Sequence, residues 1–562
     1  MRTNPAKTAL TALFLCSLSL LLPAAKAESR DLAQIVFVSC NRHDRDQGYW
    51  DVIAATVEHS EHVGEPKKPP KRDTGGCAAN PPVDALVWLG DAVYGDNFSF
   101  LRGCYPNDDL ELVRSKFVHQ RNAPEYVAFR QTCVRQRTAA ATRDDEEERQ
   151  CVMGVWDDHD LGKNDGGAEY AGKDVTQQFF LDFLGVAKNS PRRKQKGVYN
   201  FEAIPFRALD PTSDMNSPRS TALKELQRLY DHAACFLLLD VRYFRDPANA
   251  TRSGDMLGEE QWKWLEERLR DDVAGQNPAT GRERCALTVV GSGVQLIMDE
   301  KVSESWGAFP RSRERLFSLL RLYNSERVMF ISGDVHLGEI GMDASCDATA
   351  VLGYPILEAT SSGLTHSTAE ILGLATIFET LFPSPRRVGA YVERNFGVLR
   401  LTTDPEALLA ALQSKDKAQR QQVERYVNVS VSIHSLPQHG KAVLQLTLPL
   451  SVFTLRGGAG DSSARPARST SAVRPTCEKP SKGSIKNGGA APQPYHSSTP
   501  TPAFTYMIRF LQRHVWPQRT LLQVTATVLR IVGLLVVAAM MIFLCLKICV
   551  PRWRSKKKAK TV

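Results

Sequence analysis

Six apolar runs in this chain break off at polar residues, and that pattern restricts the fold more than any composition figure does. "AQIVFVSC" ends at Cys40, "DALVWLGDAVY" passes through Gly90-Asp91, and "CVMGVW" stops at Asp157. "ACFLLLDVRYFRD" reaches Asp240 and Arg242, "ALTVVGSGVQLI" follows, and "RVMFISGDVH" ends at Asp334-Val335-His336. Short apolar runs rich in Val, Ile, Leu and Phe, bounded by turn residues, read as strands. Helical stretches lie between them. In "LGEEQWKWLEERL", Trp262, Leu265 and Leu269 share one face. Alternation of this kind predicts an α/β architecture over residues 33–456.

Ligands in open α/β sheets sit beyond the carboxyl ends of strands. Four predicted ends carry metal-competent side chains: Cys40, Asp91 with Tyr94, Asp158 with His159, and Asp334 with His336. Each alone has an ordinary reading, as a loop hydrogen-bond pair, a packed tyrosine or a disulfide half. Together they predict a dinuclear metal site, because two neighbouring cations need a shared carboxylate and donors from several strands. The stretch "MGVWDDHDLGKND" (153–165) supports this. Asp157, Asp158 and Asp160 crowd around His159, and like charges at close range are costly unless a cation or water relieves them. No nucleophile elbow or P-loop is present.

The termini read differently. Arg2 and Lys7 precede an apolar run, Thr8 to Leu22, and Ala25-Lys26-Ala27 fits a cleavage signal, which predicts a secretory signal peptide over 1–27. "IVGLLVVAAMMIFLCL" (531–546) with its flanks predicts one transmembrane helix over 526–550. The tail, 551–562, carries six basic residues and no acidic ones, which marks it as cytoplasmic. Residues 457–520, rich in Ser, Pro and Gly and carrying nine basic and two acidic residues, read as a flexible stalk. The expected topology is a single-pass type I protein of the secretory pathway. Lys558 and Lys560 fit a K-x-K-x-x retrieval signal, so the endoplasmic reticulum and the cell surface both stay open. N-glycosylation sequons stand at Asn97, Asn249 and Asn428.

Net charge is +9 for the whole chain, but removing the basic stalk, span, tail and signal leaves −9 for residues 28–456. An acidic luminal part argues against nucleic-acid binding and suits a site that collects cations. Of twelve cysteines, nine lie outside the signal and span, an odd number that cannot all pair within the chain.

"GDAVYGD" (90–96), "WDDHD" with "ND" (156–165), "LLLDVRYFRD" (237–246), "LGEEQWKWLEERL" (257–269), "SGDVH" (332–336) and "EATSSGLTHS" (358–367) together resemble the PhoD-like phosphatases, the alkaline phosphatase D family. The resemblance spans roughly residues 35 to 400. It implies a metallophosphatase-type two-sheet sandwich flanked by helices, and hydrolysis of phosphate esters without a covalent enzyme intermediate. It also implies an iron ion together with calcium, another divalent metal being the alternative. By position, the resemblance makes Cys40 and Tyr94 ferric ligands, Asp91 the bridge, and His336 a further ligand on the iron side. Asp158, Asn164 and Asp334 fall on an oxygen-rich calcium side, where hard cations are held. Asp157 and Asp160 are then supporting residues. His159 takes the phosphate-contacting place. Cys40 as a ligand leaves eight cysteines for up to four disulfides, although Cys235, on a buried strand, and Cys477, in the stalk, are candidates to stay free.

One position departs from the pattern: Ala92 stands where some members carry an arginine beside phosphate. Arg42, His159 and Arg242 are the candidates to take over that task, with Arg242 equally readable as a structural ion-pair residue. The hydroxyl-rich "TSSGLTH" (360–366) reads as a loop lining the site or as a polar turn. The function expected is a membrane-anchored phosphomonoesterase. The alternatives are a phosphodiesterase of the same fold, or a non-catalytic glycosylated binding ectodomain.

Overall fold

A computed structural model describes residues 30–59, 83–99, 103–132, 151–207, 217–247, 253–298, 304–372, 384–414 and 423–455, with a few positions between 532 and 540. The signal peptide, the stalk, the basic tail and Cys77, Cys133 and Cys477 lie outside the described residues, as does the sequon residue Asn249. So does most of the expected span, whose described positions are helical and exposed. No helix among the described residues is long and apolar enough to cross a membrane.

The strands in chain order are β1 (Arg30–Val38), β2 (Ala85–Leu89), β3 (Asn97–Ser99), β4 (Gly103–Tyr105), β5 (Val152–Val155), β6 (Asn200–Ile204), β7 (Tyr230–Leu239), β8 (Glu283–Ser292), β9 (Val328–Ser332), β10 (Gly338–Asp343), β11 (Ile356–Ser361), β12 (Arg387–Tyr391), β13 (Asn395–Thr403), β14 (Val427–Ser435) and β15 (Lys441–Pro449). All six predicted apolar runs are among them. They form a six-stranded sheet, β15-β14-β13-β1-β2-β5, a seven-stranded sheet, β12-β10-β11-β9-β8-β7-β6, and the small hairpin β3-β4.

Each large sheet contains a parallel block. In the first, β1, β2 and β5 run parallel. In the second, β7, β8, β9 and β11 do so. Antiparallel strands extend the first sheet beyond β1 and the second at both edges, while β5 forms the first sheet's other edge. The parallel strands are buried almost throughout, as expected where helices or a second sheet cover both faces. Residues of both sheets share one hydrophobic core. The core includes an aromatic cluster of Trp50, Trp88, Tyr126, Phe129 and Phe183 packed at the β1-β2 side of the first sheet. Large buried aromatics dominate core energetics.

The two parallel blocks meet at their carboxyl ends. Ser39, just past β1, donates its hydroxyl to the carbonyl of Ser361 at the end of β11, 3.0 Å away. Gly90, just past β2, has φ +89°, and a side-chain carbon there would lie 2.2 Å from Cβ of Asp157. Only glycine allows β2 and β5 to turn that closely together.

The cysteine pairing differs from the parity argument. Cys235 is bonded to Cys285 across β7 and β8, with 5.7 Å between Cα atoms, so it is not free. Cys151 is also disulfide-bonded. Among the described residues Cys40 is free and buried, and Cys104, on β4, is free and exposed. A count of cysteines cannot reveal a second free thiol.

Candidate metal centre

Four of the predicted ligands occupy backbone conformations that ordinary side chains avoid. Cys40, Asp91, Asp334 and His336 have φ of +59°, +51°, +72° and +56°. Non-glycine residues in the left-handed region cost free energy and persist where the surroundings dictate them, typically at functional sites. Here β1, β2 and β9 each turn sharply just past their last residue, and these four residues stand at the turns. Asn41 N–H donates to the Asp91 carbonyl at 2.7 Å, and Asn41 Nδ2 donates to the Ala92 carbonyl at 3.0 Å. These bonds lock the β1 and β2 turns together.

Donor atoms then gather in two connected regions. In the first, Cys40, Asp91 and His336 each offer an atom within 4.8 Å of the others. Cys40 Sγ lies 3.5 Å from Asp91 Oδ2 and 2.9 Å from Ser362 Oγ. Tyr94 Oη lies 3.1 Å from His336 Nε2 and 2.7 Å from His366 Nε2. The two imidazole nitrogens are 3.2 Å apart. In the second region, Asp91, Asp158 and His159 form one group, Asp157, Asp158 and Asp334 another, and Asp158, Asp165 and Glu304 a third, each within the same 4.8 Å. Asp91 thus belongs to both regions, and Asp158 to three groups.

Burial sets the electrostatics. It pushes the Cys40 thiol well above its ordinary range, aided by the charge of Asp91, and does the same to the Tyr94 phenol. Burial lowers His336 to about 4 and His366 to about 2. Asp91 and Asp334 are raised well above the carboxylate range by burial, with nearby carboxylates adding to the effect. Asp157 is raised to about 6 by burial, against the pull of Arg242. For His159, burial lowers the pKa, but Asp158, Asp91 and Asp96 together outweigh it and raise it well above normal. Buried charges of this kind are relieved by pairing or by a cation.

The residues fit bound metal. Asp91 Oδ1, Asp157 Oδ2 and Asp334 Oδ2 are buried and have no hydrogen-bond partner, although buried polar atoms are otherwise nearly always satisfied. A thiol, a phenol and imidazole on one side and carboxylates on the other are donor sets for a softer and a harder cation respectively.

Cys40, Asp91, Tyr94, Asp158, His159, Asp334 and His336 are all brought to this centre. Arg42 stands at its rim. Its side chain is partly exposed, its guanidinium sits 5.9 Å from the Tyr94 ring centroid, and its fork is held by Asp44 at 2.9 and 3.1 Å. Arg242 is fully buried and paired to Asp157 and Glu304, with Asp158 at 3.9 Å, and its Nη2 has no hydrogen-bond partner. Asn164 donates its amide to Asp165 at 2.8 Å, and it is Asp165 that joins Asp158. Asp160 accepts from the backbone N–H of Val93 and of Asp157, holding the turn in place.

Four participants escaped the sequence reading. Asp96 Oδ1 lies 2.8 Å from His159 Nδ1, and the His159 ring packs on Tyr94 with centroids 4.0 Å apart. His366 sits inside the 360–366 loop, which does line the centre. Asp96 and His366 both fall within the motifs quoted above, so spacing alone hid their roles. Asp165 adjoins the residue expected in its place. Glu304 carries no signal at all.

The family model for PhoD-like phosphatases matches residues 74–411. Alkaline phosphatase D of Bacillus subtilis is 26% identical over 196 residues, an alignment covering 32% of this chain and 30% of that protein. The match thus spans less than a third of that relative's length. Among solved structures, one described as "Structure of PhoD" aligns with a TM-score of 0.39 at 14% identity, over 75% of this chain and 74% of its own. Another, of "GAP50 the anchor in the inner membrane complex of Plasmodium", gives 0.35 at 10%, over 75% and 89%. Since the family model matches more than half of the 562 residues, this chain belongs to the PhoD-like phosphatase family.

Proposed function

We propose that this protein is a metal-dependent phosphoric ester hydrolase acting on phosphate monoesters. In this reading Cys40, Tyr94 and His336 would hold ferric iron, Asp158 and Asp334 would hold calcium, and Asp91 would serve both. Cations held there would neutralise charge on a phosphate oxygen and make a water nucleophilic near neutral pH. The observation that carries the reading is Asp91: one buried carboxylate belongs both to the group with Cys40 and His336 and to the group with Asp158 and His159.

The chain's own groups supply the rest. His159 has Nδ1 engaged by Asp96, which fixes the ring and leaves Nε2 to deliver a proton to the departing ester oxygen. Arg42, at the rim, is the guanidinium within reach of a phosphate held over Tyr94, and planar forks suit phosphate oxygens. Arg242 balances the charge of the carboxylate region from within. Asn164 holds Asp165, which approaches Asp158. The domain is delivered to the secretory lumen by residues 1–27 and anchored by 526–550, with sequon asparagines Asn97, Asn249 and Asn428 on the same side of the membrane.

The test uses the full-length chain purified in detergent, assayed on p-nitrophenyl phosphate and bis-p-nitrophenyl phosphate. Turnover of the monoester that exceeds the diester and is lost in Asp91→Ala supports the reading. Preference for the diester makes the protein a phosphodiesterase. Absence of turnover on both removes the enzyme reading.

A further inference from the structure

The ammonium of Lys116 is bonded to the backbone that carries two working residues of the centre, Tyr94 and Asp96. Lys116 lies on the helix Leu110–Asn122, whose amino end is capped by Asp109 accepting from Leu112 N–H at 3.0 Å. Its half-buried ammonium donates to three successive carbonyls: Tyr94 at 2.8 Å, Gly95 at 3.1 Å and Asp96 at 3.3 Å. An ammonium has three protons, and here each has an acceptor. Lys116 therefore has no proton left for an incoming phosphate, so a direct substrate contact is not its task.

The segment it holds is pinned from the other side as well. Gly95 N–H donates to the His159 carbonyl at 2.9 Å. A side-chain carbon on Gly95 would stand 2.8 Å from that carbonyl oxygen, so the two backbones touch. Asn107 Nδ2 adds a further bond to the Gly95 carbonyl at 3.2 Å. From this three-residue segment the side chains diverge. The Tyr94 phenol reaches His336 and His366, while the Asp96 carboxylate reaches His159 Nδ1.

We propose that Lys116 is a positioning residue: its ammonium ties residues 94–96 to the helix and thereby sets the Tyr94 phenol and the Asp96–His159 pair in register. Charge-assisted bonds are stronger than neutral ones, and a displacement of about 1 Å at a reacting group can cost about 100-fold in rate. The kinetic part rests on the phosphoesterase reading. The spectroscopic part rests only on the Tyr94 phenol taking ferric iron, which is independent of turnover.

The experiment compares full-length wild type, Lys116→Met and Lys116→Gln, each checked for its thermal midpoint. Two readouts are taken: kcat and KM on p-nitrophenyl phosphate, and the phenolate-to-iron absorption band when ferric iron is added to chelator-stripped protein. Lys116→Met is expected to lose 10- to 100-fold in kcat with KM within twofold, and to weaken or shift the band. Lys116→Gln, with two N–H donors, should fall between it and wild type and serves where the methionine variant does not fold. A folded variant with wild-type kcat and a wild-type band overturns the proposal, as does a loss that merely follows a fallen thermal midpoint. If wild type turns over no phosphate ester, the phosphoesterase reading falls and the band still decides the role of Lys116. If iron gives no band, kcat decides it.

Discussion

The two regions joined at Asp91 differ in what stands beside their buried polar groups. On the Cys40, Tyr94, His336 and His366 side, burial drives every group toward its neutral form. On the Asp157, Asp158, Asp165, Asp334 and Glu304 side, burial pushes Asp157 and Asp334 up as well, but a guanidinium, Arg242, is built in and pairs with Asp157 and Glu304. Under the proposed reading, the contrast suits a different cation on each side. A neutral thiol and phenol become ligands only by losing protons, which a small, highly charged ion drives best. A cluster of carboxylates takes a hard divalent ion with little rearrangement.

The sharpest way to break this contrast is to remove what the regions share. Asp91→Ala is expected to lower kcat more than about 1000-fold and to strip metal from both sides, measured by turnover and by elemental analysis of the same preparation. Breaking one side at a time comes next. Cys40→Ser should lose iron while keeping the divalent ion, and Asp334→Asn should do the reverse, each with about a 100-fold loss of kcat or more. Loss of both metals in both variants would mean the sides are not separable.

Arg242→Met removes the internal counter-charge. Taking one partner from a buried ion pair costs about 3–5 kcal/mol, so a large fall in thermal midpoint is expected. Arg42→Met, at the rim, should leave stability unchanged and raise KM about tenfold. A matched KM effect in both arginine variants would return Arg242 to the substrate side. The smallest effect lies away from the centre. His434 is buried between Ser432 and the Gly440 carbonyl, and burial lowers it to about 4. The unfolded chain takes up a proton near pH 6.5 that the native state refuses until about pH 4, so stability falls as pH drops through that window. Denaturation of His434→Gln should show a shallower loss than wild type between those values.

How much of this was legible beforehand follows from where each signal lies. Strand ends could be read because an apolar run that stops at Asp or Cys is a local pattern. Cys40, Asp91, Tyr94, Asp158, His159, Asp334 and His336 were found that way and are gathered by the fold. Arg242 was ambiguous because its partners, Asp157 and Glu304, are distant in sequence, and only tertiary packing shows that it is enclosed. Asp96 and His366 lay within recognised motifs, but what they touch depends on how β2, β5 and β11 converge. Glu304 sits between strands in a segment with no periodicity. The second free thiol, Cys104, was invisible to counting for the same reason: pairing is a property of the fold.

The central claim is that one buried carboxylate joins a softer and a harder cation site. Elemental analysis of the purified full-length chain, wild type beside Asp91→Ala, tests it most directly. The account predicts iron together with a hard divalent ion in wild type and neither in the variant. Zinc alone, or no metal in a folded and active wild-type protein, would contradict it.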